Sequence, residues 1–360
     1  MNTCTYAGID YHKHYSTVCV LDANRKVVLE TTVRPNEKQA FHSLFSRLDG
    51  PVKVTFECGL NWGRLFDILQ SLPMVSEVKL ANAFQTRIIA EAQVKTDKID
   101  AKKLAWLLHA DLIPAIHIPG VDTRKRREVI RQRMWWVKTR TMLRNRIHRI
   151  LERQPQLEMP KASDLFGKKG LAAMRKAQLP DPDCFLLEQD LHMLETLDKL
   201  VKEDEERMKT EVKDDEDLRI LMSLPGVGLT IGSVLRNEID GVRRFLSPQR
   251  LCAYAGLAPT THSSGGKTRN GRMMIGCNRW LKWAFIEAAW VAVGCDAYLG
   301  GLYQAQKARG KKANTAITIV ARRMCRIAWA LLKEQREYQK ERISTSGCSP
   351  HGLTNAAVNQ

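Results

Sequence analysis

Four acids are placed where they could do chemistry together. Asp10 closes the apolar run CTYAGIDY and Glu57 closes the run VKVTFE. Asp97 and Asp100 lie in VKTDKIDAKKLAWLL, where every other charged residue is a lysine. Three residues apart on a helix, these two share a face. Four carboxylates brought close repel one another, an arrangement that a bound cation makes tolerable. Hard oxygen donors with open positions suit Mg²⁺. A pair of such ions about 4 Å apart can activate and stabilise the oxygens of a phosphoryl transfer. Taken singly, each acid has a plainer reading: Asp10 begins a turn, Asp97 caps a helix, and Asp100 pairs with Lys103.

A second set lies in FLSPQRLCAYAGLAPTTHSSGGKTRNGRMM. Ser263 and Ser264 precede two glycines, then Lys267, Arg269 and Arg272. A serine hydroxyl is a poor nucleophile until a base, a metal or nearby cations assist it. Glycines admit a phosphate closely, and cations stabilise charge developing on it. On composition alone, Ser-Ser-Gly-Gly is most often a flexible loop. Tyr254 is another hydroxyl, although its apolar setting favours core packing. Upstream, Gly226 and Gly228 in LPGVGLTIGSVLRNEI permit a tight turn of helix–hairpin–helix type, whose N–H groups can meet a nucleic-acid backbone without reading sequence. An ordinary helix–helix turn would look the same.

These residues need elements to hold them. YSTVCVLD and KVVLETTV are β-branched runs joined by the turn ANRK, and they follow CTYAGIDY. After them come helical FHSLFSRL, strand VKVTFE, helical WGRLFDILQSL, strand SEVKLAN and the helix of Asp97. Three antiparallel strands followed by alternating helix and strand predict an α/β domain with a mixed sheet over 1–120. Strands ending at one sheet edge bring Asp10 and Glu57 together, and a helix beside that edge adds the other two acids. Residues 121–219 read as two long helices in an antiparallel hairpin or coiled coil, interrupted by LPDPD. Val129, Ile130, Met134, Val137, Leu143, Ile147, Ile150 and Leu151 form the apolar set of the first helix. Leu187, Leu191, Leu194, Leu197 and Leu200 form that of the second. Residues 220–340 read as an all-α domain and 341–360 as a disordered polar tail.

Charge indicates the partner. With 57 Lys+Arg against 39 Asp+Glu, the net charge is +18, which points to a polyanion, nucleic acid before membrane. Twelve Lys and Arg fall between Arg124 and Arg153. Arg126, Arg127, Arg131, Arg133, Lys138 and Arg140, interleaved with Trp135 and Trp136, are candidate nucleic-acid contacts. One of the tryptophans can stack on an unpaired base, while helix packing suits at least one of them. No apolar run reaches membrane-span length, and the N-terminus carries no signal-peptide pattern. Nine scattered cysteines, without a C-x-x-C pair, suggest a reducing cytoplasm rather than a disulfide framework or zinc site.

The segments GIDYHK, TFECGLNWG and KTDKIDAKKLAWLL resemble the RuvC-like, DEDD-type domain of the insertion-sequence 110 family of transposases. LCAYAGLAPTTHSSGGKTRNGRMM resembles the C-terminal transposase domain of the same family. The resemblance implies a ribonuclease H-like fold and marks Asp10, Glu57, Asp97 and Asp100 as Mg²⁺-binding acids. It also implies that the serine directly before the glycine, Ser264, is the nucleophile, with Ser263 the alternative one residue away. Family members often carry a Lys-x-Gly-Asn-Arg run just downstream. Here IGCNRWLKWA keeps Asn278 and Arg279 but has Ile275 and Cys277, which removes one phosphate contact.

By the same resemblance, members form dimers and tetramers and use an element-encoded bridge RNA whose loops pair with donor and target DNA. They act in the bacterial cytoplasm on nucleoid DNA, through a 5′-phosphoserine link, at a site composed of acids from one subunit and serine from another. Two other readings compete. A RuvC-like junction nuclease would use a metal-activated water, with Ser264 incidental. An RNA-binding scaffold would carry a degenerate acid cluster.

Overall fold

The structure is a computed structural model, and it describes residues 4–59, 61–89, 96–154, 156–157, 164–211, 214–264, 267–274 and 276–339. The chain divides into two compact units, Met1–Pro119 and Gly120–Gln360. The expected tail, 341–360, the glycines at 265 and 266, and Ile275 lie outside the described residues.

In the first unit, β1 (Thr5–Tyr11), β2 (Ser16–Leu21) and β3 (Val27–Val33) form an antiparallel meander. Then follow α1 (Lys38–Phe45), β4 (Val52–Glu57), α2 (Trp62–Gln70), β5 (Val75–Ala81), α3 (Ala83–Ile89) and α4 (Asp97–His109). The sheet order is β3-β2-β1-β4-β5, with β4 parallel to β1 and β5 parallel to β4. This is the mixed sheet that the alternation of strand and helix predicts.

Period-two alternation assigns the faces. Ala7, Ile9, Val18, Val20, Val54 and Phe56 are fully buried with Phe41 and Phe45 of α1 and Leu65 and Leu69 of α2. On the opposite face, Cys19 and Leu21 are buried with Ala101 and Ala105 of α4, and Tyr6 packs beside them. Gly8 is the point of closest approach. A Cβ built there would lie 2.1 Å from the Ala101 carbonyl oxygen and 2.3 Å from the Ala105 nitrogen. A side chain at position 8 would therefore lift α4 off the sheet.

The second unit opens with α5 (Val121–Glu152), α6 (Lys168–Lys176) and α7 (Asp183–Glu211). Ion pairs run Arg133–Glu205, Arg140–Asp198, Arg146–Asp190 and Arg153–Asp183, so one number rises as the other falls and the helices are antiparallel. Leu187, Leu191, Leu194 and Leu197 are buried as the leucine spacing predicts. At the next step Val201, rather than Leu200, takes the core position.

Beyond them lie α8 (Glu216–Met222), α9 (Leu229–Ile239), α10 (Pro248–Tyr254), β6 (Pro259–Ser264), β7 (Lys267–Met273), α11 (Arg279–Cys295), α12 (Ala297–Ala308) and α13 (Ala313–Glu334). A single core joins α8, α9, α10, α11 and α13, with Leu221, Leu235, Leu251, Leu281, Phe285 and Val320 at or near zero exposure. The region read as all-α is mostly helical but contains one antiparallel hairpin, β6–β7. Its strands, PTTHSS and KTRNGRM, are polar on both faces, so neither shows the apolar alternation that marks a strand. Among the described residues no single helix is long and apolar enough to cross a membrane.

Candidate active site

Asp10 stands near the C-terminal end of β1, on the same face as Tyr6 and Gly8, and therefore toward α4. Because Ile9 pairs with Phe56, the next residue along β4, Glu57, comes beside Asp10. Glu57 is exposed at that strand end. Asp97 and Asp100 occupy the first turn of α4, and Thr96, not Asp97, caps the helix by accepting the Ile99 amide at 3.3 Å. Asp97 is thereby left available to other partners. Asp100 lies 3.6 Å from Lys103, the pairing that its plainer reading anticipates.

The tightest donor cluster among the described residues is Asp10, Asp97 and His12, with one ligand atom from each within 4.8 Å of the others. His12 Nε2 sits 3.2 Å from Asp10 Oδ2 and 3.3 Å from Asp97 Oδ2. The Tyr15 hydroxyl donates to the same Asp97 oxygen at 2.9 Å, and its ring stacks on His12 with centroids 4.7 Å apart. Burial pushes the Asp10 carboxyl above its usual range. His12 opposes that shift, while Asp97 and Asp100 reinforce it. The Tyr15 hydroxyl is raised chiefly by its hydrogen bond to Asp97. Two carboxylates and an imidazole, with one ligand atom from each within 4.8 Å of the others, are a donor set that fits a metal ion.

The residues of the serine segment fall on the hairpin. Ser264 ends β6, exposed, opposite Lys267, and Ser263 pairs with Thr268. Arg269 is exposed on β7, and Arg279 is exposed in the first turn of α11. Lys267 and Arg272 also lie on β7, but their side chains are outside the described residues. The hairpin base is anchored by the Met274 amide donating to the Ala258 carbonyl at 3.2 Å and by Asn278 N–H to Tyr254 O at 2.8 Å. Tyr254 itself packs against the core, its ring under the Arg244 guanidinium.

The basic helix is more internally engaged than its sequence indicates. Arg127 donates to the Asn237 carbonyl, and with Arg131 it pairs with Glu238, whose side chain is only 5% exposed. Arg133 and Arg140 are held by Glu205 and Asp198. Arg126 lines a cleft with Asp214 to Asp217. Lys138 and Trp135 are exposed, and Trp135 packs against Trp136 at 4.4 Å. At the turn before α9, Gly226 has φ +77°, and a Cβ there would meet the Ala288 carbonyl oxygen at 2.3 Å, so this glycine seats the turn on α11. Gly228 has open space around it at the N-cap of α9.

Residues 7–154 match the DEDD-type IS110 transposase model, described as Transposase, and residues 218–304 match the model described as Transposase IS116/IS110/IS902 family. The chain belongs to the IS110/IS116/IS902 family of transposases. A probable family 20 transposase of Pseudomonas aeruginosa is 26% identical over 261 residues, covering 68% of this chain and 75% of that protein. The transposase for insertion sequence element IS1111A of Coxiella burnetii is 24% identical over 357 residues, covering 92% and 90%. The match to the insertion element IS116 44.8 kDa protein of Streptomyces clavuligerus is 28% identical and spans 48% of this chain but only 45% of that protein. The first family match takes in every member of the acid set and the second takes in the serine hairpin. Sequence reasoning missed His12 and Tyr15. The available signal was the Asp-x-His spacing in GIDYHK, which puts a nitrogen donor two residues beyond a strand-end acid.

Proposed function

We propose that the chain breaks and rejoins DNA as the transposase of an insertion sequence, with Ser264 as nucleophile and Asp10, Glu57, Asp97 and Asp100 as holders of Mg²⁺. The observation that carries this reading is that the C-terminal ends of the inner strands β1 and β4 lie side by side, with Asp10 of β1 and Asp97 of the α4 N-terminus bridged by a single side chain. A bound divalent cation would supply Lewis-acid stabilisation of phosphate oxygens. The protein's own residues do the rest. Asp10 and Asp97 are held in register by β1, α4 and Tyr15. The Ser264 hydroxyl, exposed at the tip of β6, attacks a DNA phosphorus and loses its proton. The bond from phosphorus to the 3′ oxygen breaks, and that oxygen takes up a proton to leave a 3′ hydroxyl and a 5′-phosphoserine. Attack by a 3′ hydroxyl of another strand reverses the step and frees the serine, so bond energy is conserved.

Donor and target DNA are the substrates. Selection by an element-encoded bridge RNA and assembly into dimers and tetramers are part of the proposal and rest on the family resemblance. The net charge of +18 suits an RNA backbone partner. The test is a suicide DNA substrate incubated with the full chain, its RNA and Mg²⁺. A covalent protein–DNA adduct that Ser264→Ala abolishes is expected. Cutting and rejoining by Ser264→Ala would overturn the serine step.

One observation favours a second reading, a RuvC-like junction nuclease acting through water. The acid cluster is assembled wholly within the first unit, by residues of the DEDD-type match. In that case DNA is cut without any adduct.

A further inference from the structure

We propose that His12 is a protein ligand of the metal site, a nitrogen donor that gives the site a preference for Mn²⁺ over Mg²⁺. The inference rests on the reading that the acid cluster holds a cation. Its own support is the placement of the imidazole. Neighbouring ligands of a cation bound at about 2.1 Å lie about 3 Å apart. Nε2 lies 3.2 Å from one carboxylate oxygen and 3.3 Å from the other, and the three ligand atoms lie within 4.8 Å of one another, so one cation could take a donor from each.

The ring is also held there. It stacks on Tyr15, whose hydroxyl is fixed on Asp97. The His12 amide donates to the Tyr15 carbonyl at 3.0 Å, closing the turn between β1 and β2. The His12 carbonyl accepts from Asn36 Nδ2 at 2.7 Å, and the buried Asn36 in turn accepts from Ser16 Oγ at 2.7 Å. These contacts hold the backbone and the ring plane of His12 in place beside the two carboxylates. With the side chain 40% exposed, the ring is not burying itself for packing.

The nitrogen decides the metal. Carboxylates serve Mg²⁺ and Mn²⁺ alike, and of these two ions Mn²⁺ takes an imidazole nitrogen the more readily, although Fe²⁺, Ni²⁺ and Zn²⁺ take it more readily still. A site with oxygen donors from Asp10 and Asp97 and one nitrogen from His12 accommodates Mn²⁺ with all three. Mg²⁺ gains little from the nitrogen and retains water in its place.

The experiment uses the full chain with MnCl₂ alone, read by electron paramagnetic resonance with detection of ¹⁴N coupling, and by competition with MgCl₂. Wild-type protein should show ¹⁴N coupling to bound Mn²⁺, and His12→Ala should bind Mn²⁺ without it. Mn²⁺ affinity should fall by about 10-fold or more in the variant, while Mg²⁺ affinity changes by less than about 3-fold. His12→Gln, which keeps a polar side chain for the turn, guards against misfolding and should also lack the coupling. Mn²⁺ bound in an Asp10-dependent manner without nitrogen coupling would overturn the role of His12 and leave the acid site standing. If Asp10→Asn does not alter Mn²⁺ binding, the acid-site reading itself fails, and the ligand role of His12 with it.

Discussion

Gly8→Ala is a one-methyl test of how the acid cluster is assembled. The added Cβ would lie 2.1 Å from the Ala101 carbonyl oxygen, 2.3 Å from the Ala105 amide nitrogen and 2.9 Å from Leu104 Cβ. Two of these three obstacles are backbone atoms inside α4, so no rotamer change relieves them. An ordinary contact of about 3.4 Å requires α4 to withdraw from β1 by roughly 1 Å, at an overpacking cost of about 3 kcal/mol. At a few degrees per kcal/mol, the melting temperature should fall by roughly 10 °C. The chemical consequence is separate from stability. Asp97 and Asp100 ride on the first turn of α4 and Asp10 on β1, so the withdrawal opens the distance that His12 now spans. A misplacement of about 1 Å at a reacting centre costs roughly 100-fold in rate. Scanning calorimetry with and without Mn²⁺, a Mn²⁺ binding isotherm and a strand-cleavage assay read both effects. Gly59→Ala is the control, since nothing lies within 4 Å of a Cβ built there. Wild-type melting, Mn²⁺ binding and cleavage in Gly8→Ala would refute the claim that close seating of α4 on β1 builds the site.

Three further predictions address the second unit. Arg140→Glu should destabilise the α5–α7 pair and Asp198→Arg should restore it, with a coupling of about 0.5–1 kcal/mol for a partly exposed pair in a urea double-mutant cycle; zero coupling would remove the ion-pair ladder from the account of the hairpin. Glu238→Ala should cost about 3–5 kcal/mol, because Arg127, Arg131 and Asn278 all lose a buried partner, and a melting temperature within a degree of wild type would exclude this. Lys138→Gln should leave stability unchanged and lower the salt slope of RNA binding by about one unit, whereas Arg133→Gln should lower stability first; equal slopes in wild type and Lys138→Gln would place the RNA elsewhere.

The contrast between these arginines shows what the sequence could and could not disclose. The sheet was legible because β2, β3 and β4 are short β-branched runs bounded by turn or helix signals. Placing Asp10 beside Glu57 required only strand order and a shared strand end. The Asp-x-His spacing in GIDYHK was the one local signal for His12 and nothing local marks Tyr15, because their shared partner Asp97 is more than 80 residues away. The β6–β7 hairpin was missed because its strands are polar throughout. The dense arginine run of α5 read as a surface for a polyanion because its own partners lie on another helix. That signal was nevertheless present: Asp183, Asp190, Asp198 and Glu205 recur at seven- or eight-residue intervals on α7, the mirror of Arg153, Arg146, Arg140 and Arg133 on α5. Reading acidic and basic periods together predicts an antiparallel ladder.

The ladder alters what the net charge of +18 means. Side chains already holding an internal carboxylate contribute less to polyanion binding, since a phosphate must displace a partner that is in place. Arg127 and Arg131 are the extreme case. They face Glu238, which also binds Asn278 Nδ2, and Asn278 Oδ1 accepts the Trp280 and Leu281 amides that start α11. Asn278 also closes the base of the segment carrying Ser264, its backbone N–H donating a hydrogen bond to the Tyr254 carbonyl. The N-terminal third of the basic helix is thus joined by three hydrogen-bonded steps to the hairpin that presents the proposed nucleophile. Charge on α5 that looks like nucleic-acid contact in one dimension serves in part to hold that hairpin. Among the described candidate contacts, Lys138 on α5, Arg269 on β7 and Arg279 at the start of α11 are exposed and better placed to meet phosphate than the arginines of the ladder.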